Sequence, residues 1–339
     1  MSKRVLVGTY EENRGLWALN LDLKNKQVLE KTCVSPTRRN SYLVKRGEYV
    51  FAVSEVPLAE GAVGALHSFR VTDSGLEAVD TLSHLPPLLA HLWVNKAGTV
   101  VYTASYGTGE IMAIGVREGR FGELLSYTRS SGSSVNPRRQ TCAHPHSLWL
   151  SPDEKYLYLC DLGTDELLRF SLGEQGELLE KEALSVPAGY GPRHLVFSPD
   201  GSKAWVLTEM IWHLLEVDIS GTTMVLTKDV SLEGNIPRES QGGGAIRLSN
   251  DGTQLFCTNR SKDHSCITVL DAAALEVKEI LTDCLWPRDL ILTEDGKYLL
   301  CGNQTADSIS IFRKTEDRWE FYWKISDLPT PVCLVELDR

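Results

Sequence analysis

An all-β, seven-bladed β-propeller of four-stranded antiparallel blades is the fold this 339-residue sequence predicts, as a single domain over residues 1–339. Three observations lead there. One pattern recurs: an apolar strand, a tight turn, a second strand, a polar loop and a third strand. The first turn of each copy often carries Asp-Gly, the strongest hairpin signal in short sequence. The two chain ends each look like part of a further copy, and amphipathic helical periodicity is nearly absent.

The elements follow in chain order. RVLVGTY and GLWALNLDL read as second and third strands whose first strand is missing. SYLVKRGEYVFAVSEV from Ser41 and HLWVNKAGTVVYTASYGTGEIMAIGV from His91 are faint copies. Four strong copies start at His146 (HSLWLSPDEKYLYLCDLGTDELLRFSL), Arg193 (RHLVFSPDGSKAWVLTEMIWHLLEVDI), Gly244 (GAIRLSNDGTQLFCTNRSKDHSCITVLD) and Arg288 (RDLILTEDGKYLLCGNQTADSISIFRK). PVCLVELD supplies the missing first strand. The second strands are expected to end at Glu55, Tyr106, Asp161, Glu209, Arg260 and Gln304. Those ends recur at roughly 50-residue intervals, the length of a four-stranded blade. Pairing the N- and C-terminal strands closes the ring and leaves no free edge. DAAALEV, from Asp271, is a short helix or a strand-linking turn.

Composition narrows the function classes. The net charge is −10 with a pI of 5.4, so an acidic surface repels nucleic acid and anionic membranes. No stretch approaches the ~20 apolar residues of a membrane helix. The N-terminus carries no signal-peptide pattern. The eight cysteines are scattered without a CxxC pair, and several sit inside apolar strands. They read as reduced, small hydrophobes of a cytoplasmic protein, and their spacing offers no zinc site. Neither a metal nor a cofactor is expected.

Hairpin geometry places a site. The start of each first strand and the end of each second strand share one end of the hairpin. One face of the disc therefore collects Asn40, Glu55, His91, Tyr106, His144, His146, Asp161, Arg193, His194, Glu209, Arg260, Arg288, Gln304, Thr330 and Tyr10, with the Gly242–Gly244 run. The SPDEK, SPDGS, SNDGT and TEDGK turns lie on the other face. Three arginines gathered at one mouth of an acidic protein point to a small anionic ligand, because a guanidinium forks onto carboxylate or phosphate. Each residue alone has an ordinary reading as a satisfied polar group; their convergence carries the argument. The glycine run lacks the lysine and helix of a phosphate loop, and reads as close backbone approach to the channel. EGNIPRESQG before it either covers the mouth or is an idle surface loop.

At these residues the chain resembles a known family. HPHSLWLSPDEKYLYLCDLGTD, GPRHLVFSPDGSKAWVLTE, LFCTNR, WPRDLILTEDGKYLLCGNQ and the opening VGTY are similar to the signatures of the seven-bladed propeller lactonases. That family includes propeller-type 6-phosphogluconolactonases and fungal 3-carboxy-cis,cis-muconate lactonizing enzymes. The resemblance implies catalytic roles for His146 (or His144), Arg193, Glu209 and Arg260. Thr208 stands where family members commonly carry Asn. The implied reaction is hydrolysis of 6-phosphogluconolactone, as part of glucose metabolism through the pentose phosphate pathway; the charges of Arg193, Arg260 and Arg288 would repel a divalent cation, so activity is expected to be metal-independent. Glu209 or His146 would be the base, and Arg193 and Arg260 the oxyanion and substrate clamps. His91, His144, His194, Arg288 and Gln304 are expected to bind substrate. A carboxymuconate cyclase is the alternative. A non-catalytic binding propeller is the other rival, disfavoured because the Gly-His and Trp-Asp dipeptides of scaffold propellers are missing.

Overall fold

A computed structural model describes residues 2–338, Ser74 and Asp317 excepted. The described strands form seven four-stranded antiparallel sheets arranged as blades. Blade 1 is built from both ends of the chain: Pro331–Glu336 innermost, then Lys3–Thr9, Leu16–Asp22 and Gln27–Ser35. Blades 2 to 7 follow, with inner strands Asn40–Arg46, Leu89–Val94, Pro145–Leu150, Pro192–Phe197, Gly243–Leu248 and Pro287–Leu292. The two termini pair in register from Val5↔Glu336 to Gly8↔Cys333. Arg4 adds a clasp, its backbone N–H and Nε both donating to the Asp338 carboxylate at 2.8 Å.

Each blade grades from apolar inside to polar outside. Second strands such as Tyr156–Asp161 and Tyr298–Asn303 are buried beyond their first residue, because blades cover both their faces. Outer strands such as Gln27–Ser35 and Val225–Ser231 are mostly exposed. The blades pack closely enough that a Cβ on Gly8 would strike the Asn40 carbonyl of the next blade.

Single 3-10 turns at Arg238–Ser240 and Gln304–Ala306 are the helical segments among the described residues. DAAALEV is a turn. The Asp271 carboxylate accepts the Ala273 and Ala274 N–H groups, and Leu275 ends the turn at φ 60°. The turns on the opposite face share one device. Asp153, Asp200, Asp251 and Asp295 each accept a Ser or Thr hydroxyl two residues before and an N–H two residues after.

The feature that builds the site is a β-bulge repeated in every blade. Each inner strand loses register with its partner at the same level, leaving one extra residue unpaired. The bulged residues are Val332, Ser41, Ala90, His146, Arg193 and Arg288, and in blade 6 Gly244 and Ala245 together face Thr258. A bulge re-aims a side chain that a regular strand would send into the sheet.

Candidate active site

The mouth is fixed by one hydrogen bond repeated around the ring. The residue after each second strand donates its N–H to the carbonyl just before that blade's inner strand. The pairs are Tyr10 to Thr330, Glu55 to Arg39, Tyr106 to Leu88, Leu162 to His144, Glu209 to Gly191, Arg260 to Gly242 and Gln304 to Trp286. The acceptor residue has positive φ in five blades, at Arg39, Leu88, Gly191, Trp286 and Thr330. Four of these are not glycine, which stores backbone strain of order 1–2 kcal/mol each beside the bulges. Blade 4 differs by one residue from the sequence reading. Asp161 is still within the strand and Leu162 takes the mouth position. The buried Asp161 carboxylate instead accepts N–H groups of His144 and Gly163 and the Ser130 hydroxyl.

Glu209 is the hub. Its Oε2 accepts Arg193 Nε at 2.9 Å and Arg260 Nη2 at 2.8 Å, and its Oε1 accepts Arg139 Nη2 at 2.6 Å. His146 Nε2 stands 3.9 Å from Oε2. Arg193 and His146 are both bulged residues, brought from two blades onto one carboxylate. The glycine run completes the frame: Arg193 Nη1 donates to the Gly244 carbonyl and Arg260 Nη2 to the Gly243 carbonyl at 2.7 Å. A Cβ on Gly243 would collide with the Thr208 carbonyl, and one on Gly244 with the Thr258 hydroxyl. Here only glycine lets the chain come this close.

Electrostatics follow from the geometry. Burial would raise the Glu209 pKa, but Arg260, Arg193 and Arg139 together hold it well below the usual carboxylate range. Burial, helped by Arg193, lowers His146 well below an ordinary histidine, so the imidazole is neutral at pH 7. Its Nδ1 has no hydrogen-bond partner, and neither does the buried Arg260 Nε.

A second network lies across the mouth. Arg288 Nη2 donates to the Tyr10 hydroxyl at 2.6 Å, and that hydroxyl donates to Glu55 Oε2 at 2.9 Å. Burial raises the Tyr10 pKa, keeping the phenol protonated. Arg288 forms no ion pair with any described residue, whereas Arg139, Arg193 and Arg260 all pair with Glu209.

The other expected binding residues divide by depth. His144 sits at the rim, stacked on Tyr106 with ring centroids 4.4 Å apart. Gln304 opens a 3-10 turn, its buried Oε1 without a partner. His194 and His91 lie one tier below. His146 and His194 centroids are 5.4 Å apart, and His194 and His91 are 5.6 Å apart. His91 is fully buried, against Tyr42 at 3.8 Å and Trp149 at 4.8 Å. The face assignment for His91 is therefore corrected: the bulge falls on Ala90, so Ala90 takes the mouth level and His91 the channel interior.

Sequence reasoning missed Arg139. It rides on the connection between Arg120–Arg129 and Pro145–Leu150, which crosses the mouth. Asn136 makes an Asx turn onto the N–H groups of Arg138 and Arg139. Gln140, fully buried, donates to the Leu162 carbonyl and pins the loop. The available signal was length: RSSGSSVNPRRQTCA is too long for a simple blade connection. EGNIPRESQG, by contrast, packs Ile236 against the cluster around Trp205 and Trp212.

The family model described as "Lactonase, 7-bladed beta-propeller" matches residues 4–335. An uncharacterized protein of Staphylococcus epidermidis is 28% identical over 91% of this chain and 92% of its own length. A Bacillus subtilis 6-phosphogluconolactonase is 24% identical over 97% of this chain and 96% of its own length. The periplasmic gluconolactonase of Pseudomonas aeruginosa superposes with a TM-score of 0.87 at 25% identity, covering 99% of both chains.

Proposed function

Because this chain belongs to the seven-bladed β-propeller lactonase family, we propose that it hydrolyses a sugar-acid lactone, with 6-phosphogluconolactone as substrate. The observation that supports this most directly is one buried carboxylate holding three guanidinium groups beside a neutral, unbonded imidazole.

The electrostatics support one division of the roles that the sequence left open. A carboxylate with three arginine partners is a weak base, so Glu209 serves as the fixed anion that orients Arg193 and Arg260. His146 is the base. It takes a proton from water as the water oxygen attacks the lactone carbonyl carbon. The tetrahedral oxyanion forms beside Arg260, whose Nε has no other partner. Collapse breaks the bond to the ring oxygen, which receives the proton from His146. The carboxylic acid product then loses its own proton to solvent. Arg288, without a counter-ion, is suited to the phosphate, and Arg139 guards the entrance. The cationic mouth disfavours a divalent cation, so the reaction is metal-independent. Cytoplasmic residence is part of the same proposal, in keeping with eight unbridged cysteines.

Purified protein dialysed against chelator and supplied with 6-phosphogluconolactone and gluconolactone in parallel tests this reading. Hydrolysis of the phosphorylated lactone at full rate without added metal is expected. Equal rates on both lactones would remove the phosphate assignment. Activity recovered only with calcium would overturn the metal-free mechanism. Turnover of a carboxymuconate alone would replace hydrolysis with cyclisation.

A further inference from the structure

The axial channel opens again on the face opposite the arginine cluster, as a cavity of 630 Å³. Its walls come from the inner strands of the blades. Trp93 and Trp149 stand together, ring centroids 4.7 Å apart, and Val44, Val196, Ile291 and Val335 complete an apolar wall. Tyr42 also lines it. We propose that this cavity is a second ligand site, taking a small planar aromatic carboxylate.

The apolar body follows from the walls. Indole and phenol rings facing aliphatic side chains suit a flat, hydrophobic ligand rather than a polyhydroxylated sugar acid. The negative charge follows from the ion pairs. The carboxylates near the cavity are already engaged, and Glu154, whose charge reaches Arg46 without forming an ion pair, accepts the Lys96 N–H. Asp289 holds Arg247 Nη2 at 2.6 Å and the Leu334 N–H at 2.9 Å; Glu336 holds Lys3 Nζ at 2.5 Å and the Glu294 N–H at 2.9 Å. Arg46, at the rim, has no ion pair with any described residue. Its Nε donates to the Val94 carbonyl at 2.9 Å, and its guanidinium lies 5.2 Å from the Trp93 ring centroid. An anionic group on a ligand lying against Trp93 would supply the direct ion pair that Glu154 does not make.

A polar anchor lies beneath. His91 packs against Tyr42 and Trp149, two of the lining side chains. The Leu148 N–H donates to its Nδ1 at 3.4 Å, which leaves the proton on Nε2. That Nε2 is buried and has no partner. A buried donor without an acceptor is costly unless water or a ligand meets it.

Calorimetric titration of the full chain with 2-naphthoate, beside neutral 2-naphthalenemethanol, tests the site. One saturable site for 2-naphthoate is expected, with the neutral analogue weaker by about tenfold. Arg46→Met should weaken 2-naphthoate to the level of the neutral analogue. Val196→Trp, which fills the cavity, should abolish binding of both. Excess 6-phosphogluconate should displace neither. The absence of saturable binding would overturn the proposal. So would affinity unchanged in Arg46→Met, a substitution at a half-buried rim position that leaves the core intact. Displacement by 6-phosphogluconate would place the probe in the arginine mouth and equally overturn it. Because binding is read directly, the result stands apart from any lactonase assay.

Discussion

Arg139 Nη2 and Glu209 Oε1, 70 residues apart in the chain, meet at 2.6 Å across the mouth of the propeller. Of the three arginines on Glu209, Arg139 alone is well exposed, at 46% of its side chain, against 2% for Arg193 and 9% for Arg260. It is the partner that the proposed substrate anion would draw away. Arg139→Met is expected to raise KM by about tenfold with a smaller effect on kcat, since it removes a binding contact rather than the base. An unchanged KM, measured on 6-phosphogluconolactone, would show that this arginine serves Glu209 alone.

Arg193→Lys keeps a charge but loses the fork that joins Glu209 to the Gly244 carbonyl. Turnover should fall by roughly 100-fold or more if Arg193 shapes the charged transition state. Glu209→Gln should be as harmful, and it should also destabilise the fold. The amide is isosteric, but it strips three guanidiniums, two of them buried, of their counter-charge, at a cost of ~3–5 kcal/mol. His264→Ala is the control: His264 lies exposed in the loop after Asn259 and faces none of these groups. Near-wild-type turnover in both site variants would sink the assignment of this mouth as the active site.

Stability should fall on the acid side, and the sign is the same for every group involved. Burial first, with Arg193 nearby, lowers the folded-state pKa of His91, His146 and His194 well below 6.5, and burial takes His67 to about 4. Below pH 6.5 the unfolded chain binds protons that the folded chain refuses. Each such histidine therefore removes about 1.4 kcal/mol per pH unit. Glu209, also depressed, adds to the loss below about pH 4.5. A melting temperature that is flat above pH 7 and drops steeply between pH 6.5 and 4 is expected. A flat profile through that window would mean that these imidazoles are charged in the folded protein. Activity should persist down to about pH 6, because the proposed base His146 stays neutral there.

Deletion of Pro331–Arg339, of which Arg339 lies outside the described residues, removes the inner strand of blade 1. The edge of Val5–Thr9 would lose its ladder, and buried Val332, Cys333 and Leu334 would lose their places. Loss of several kcal/mol is expected, comparable with the whole margin of an ordinary domain. A truncated chain with unchanged melting temperature would show that the ring does not depend on this closure.

Much of this was legible in the repeats. His146, Arg193, Glu209 and Arg260 could be placed together because hairpin ends follow from strand period and turn position. Starting the faint copy at His91 puts it one residue late: Ala90-His91-Leu92 matches Arg193-His194-Leu195, so the bulged position falls on Ala90. A cue exists in Pro145, Pro192, Pro287 and Pro331, each at the first position of an inner strand, directly before the bulged residue. Arg139 escaped because its position depends on how an irregular loop crosses a neighbouring blade, which no periodicity encodes. The proposal of His146 rather than Glu209 as base rests on the number of guanidiniums on the carboxylate, which the sequence does not show.

The row of bulges also makes the mouth easy to rewrite. Charged and ring-bearing residues occupy blades 4, 5 and 7, whereas blades 1, 2 and 3 present Val332, Ser41 and Ala90. A bulged residue has no cross-strand partner, so exchanging it disturbs no neighbour in the ladder. The ring thus behaves like a socket with seven pins, of which the small, uncharged arc is a set of spare positions. If the proposed function holds, new substrate preference could be acquired there one blade at a time, while the charged arc opposite stays in place.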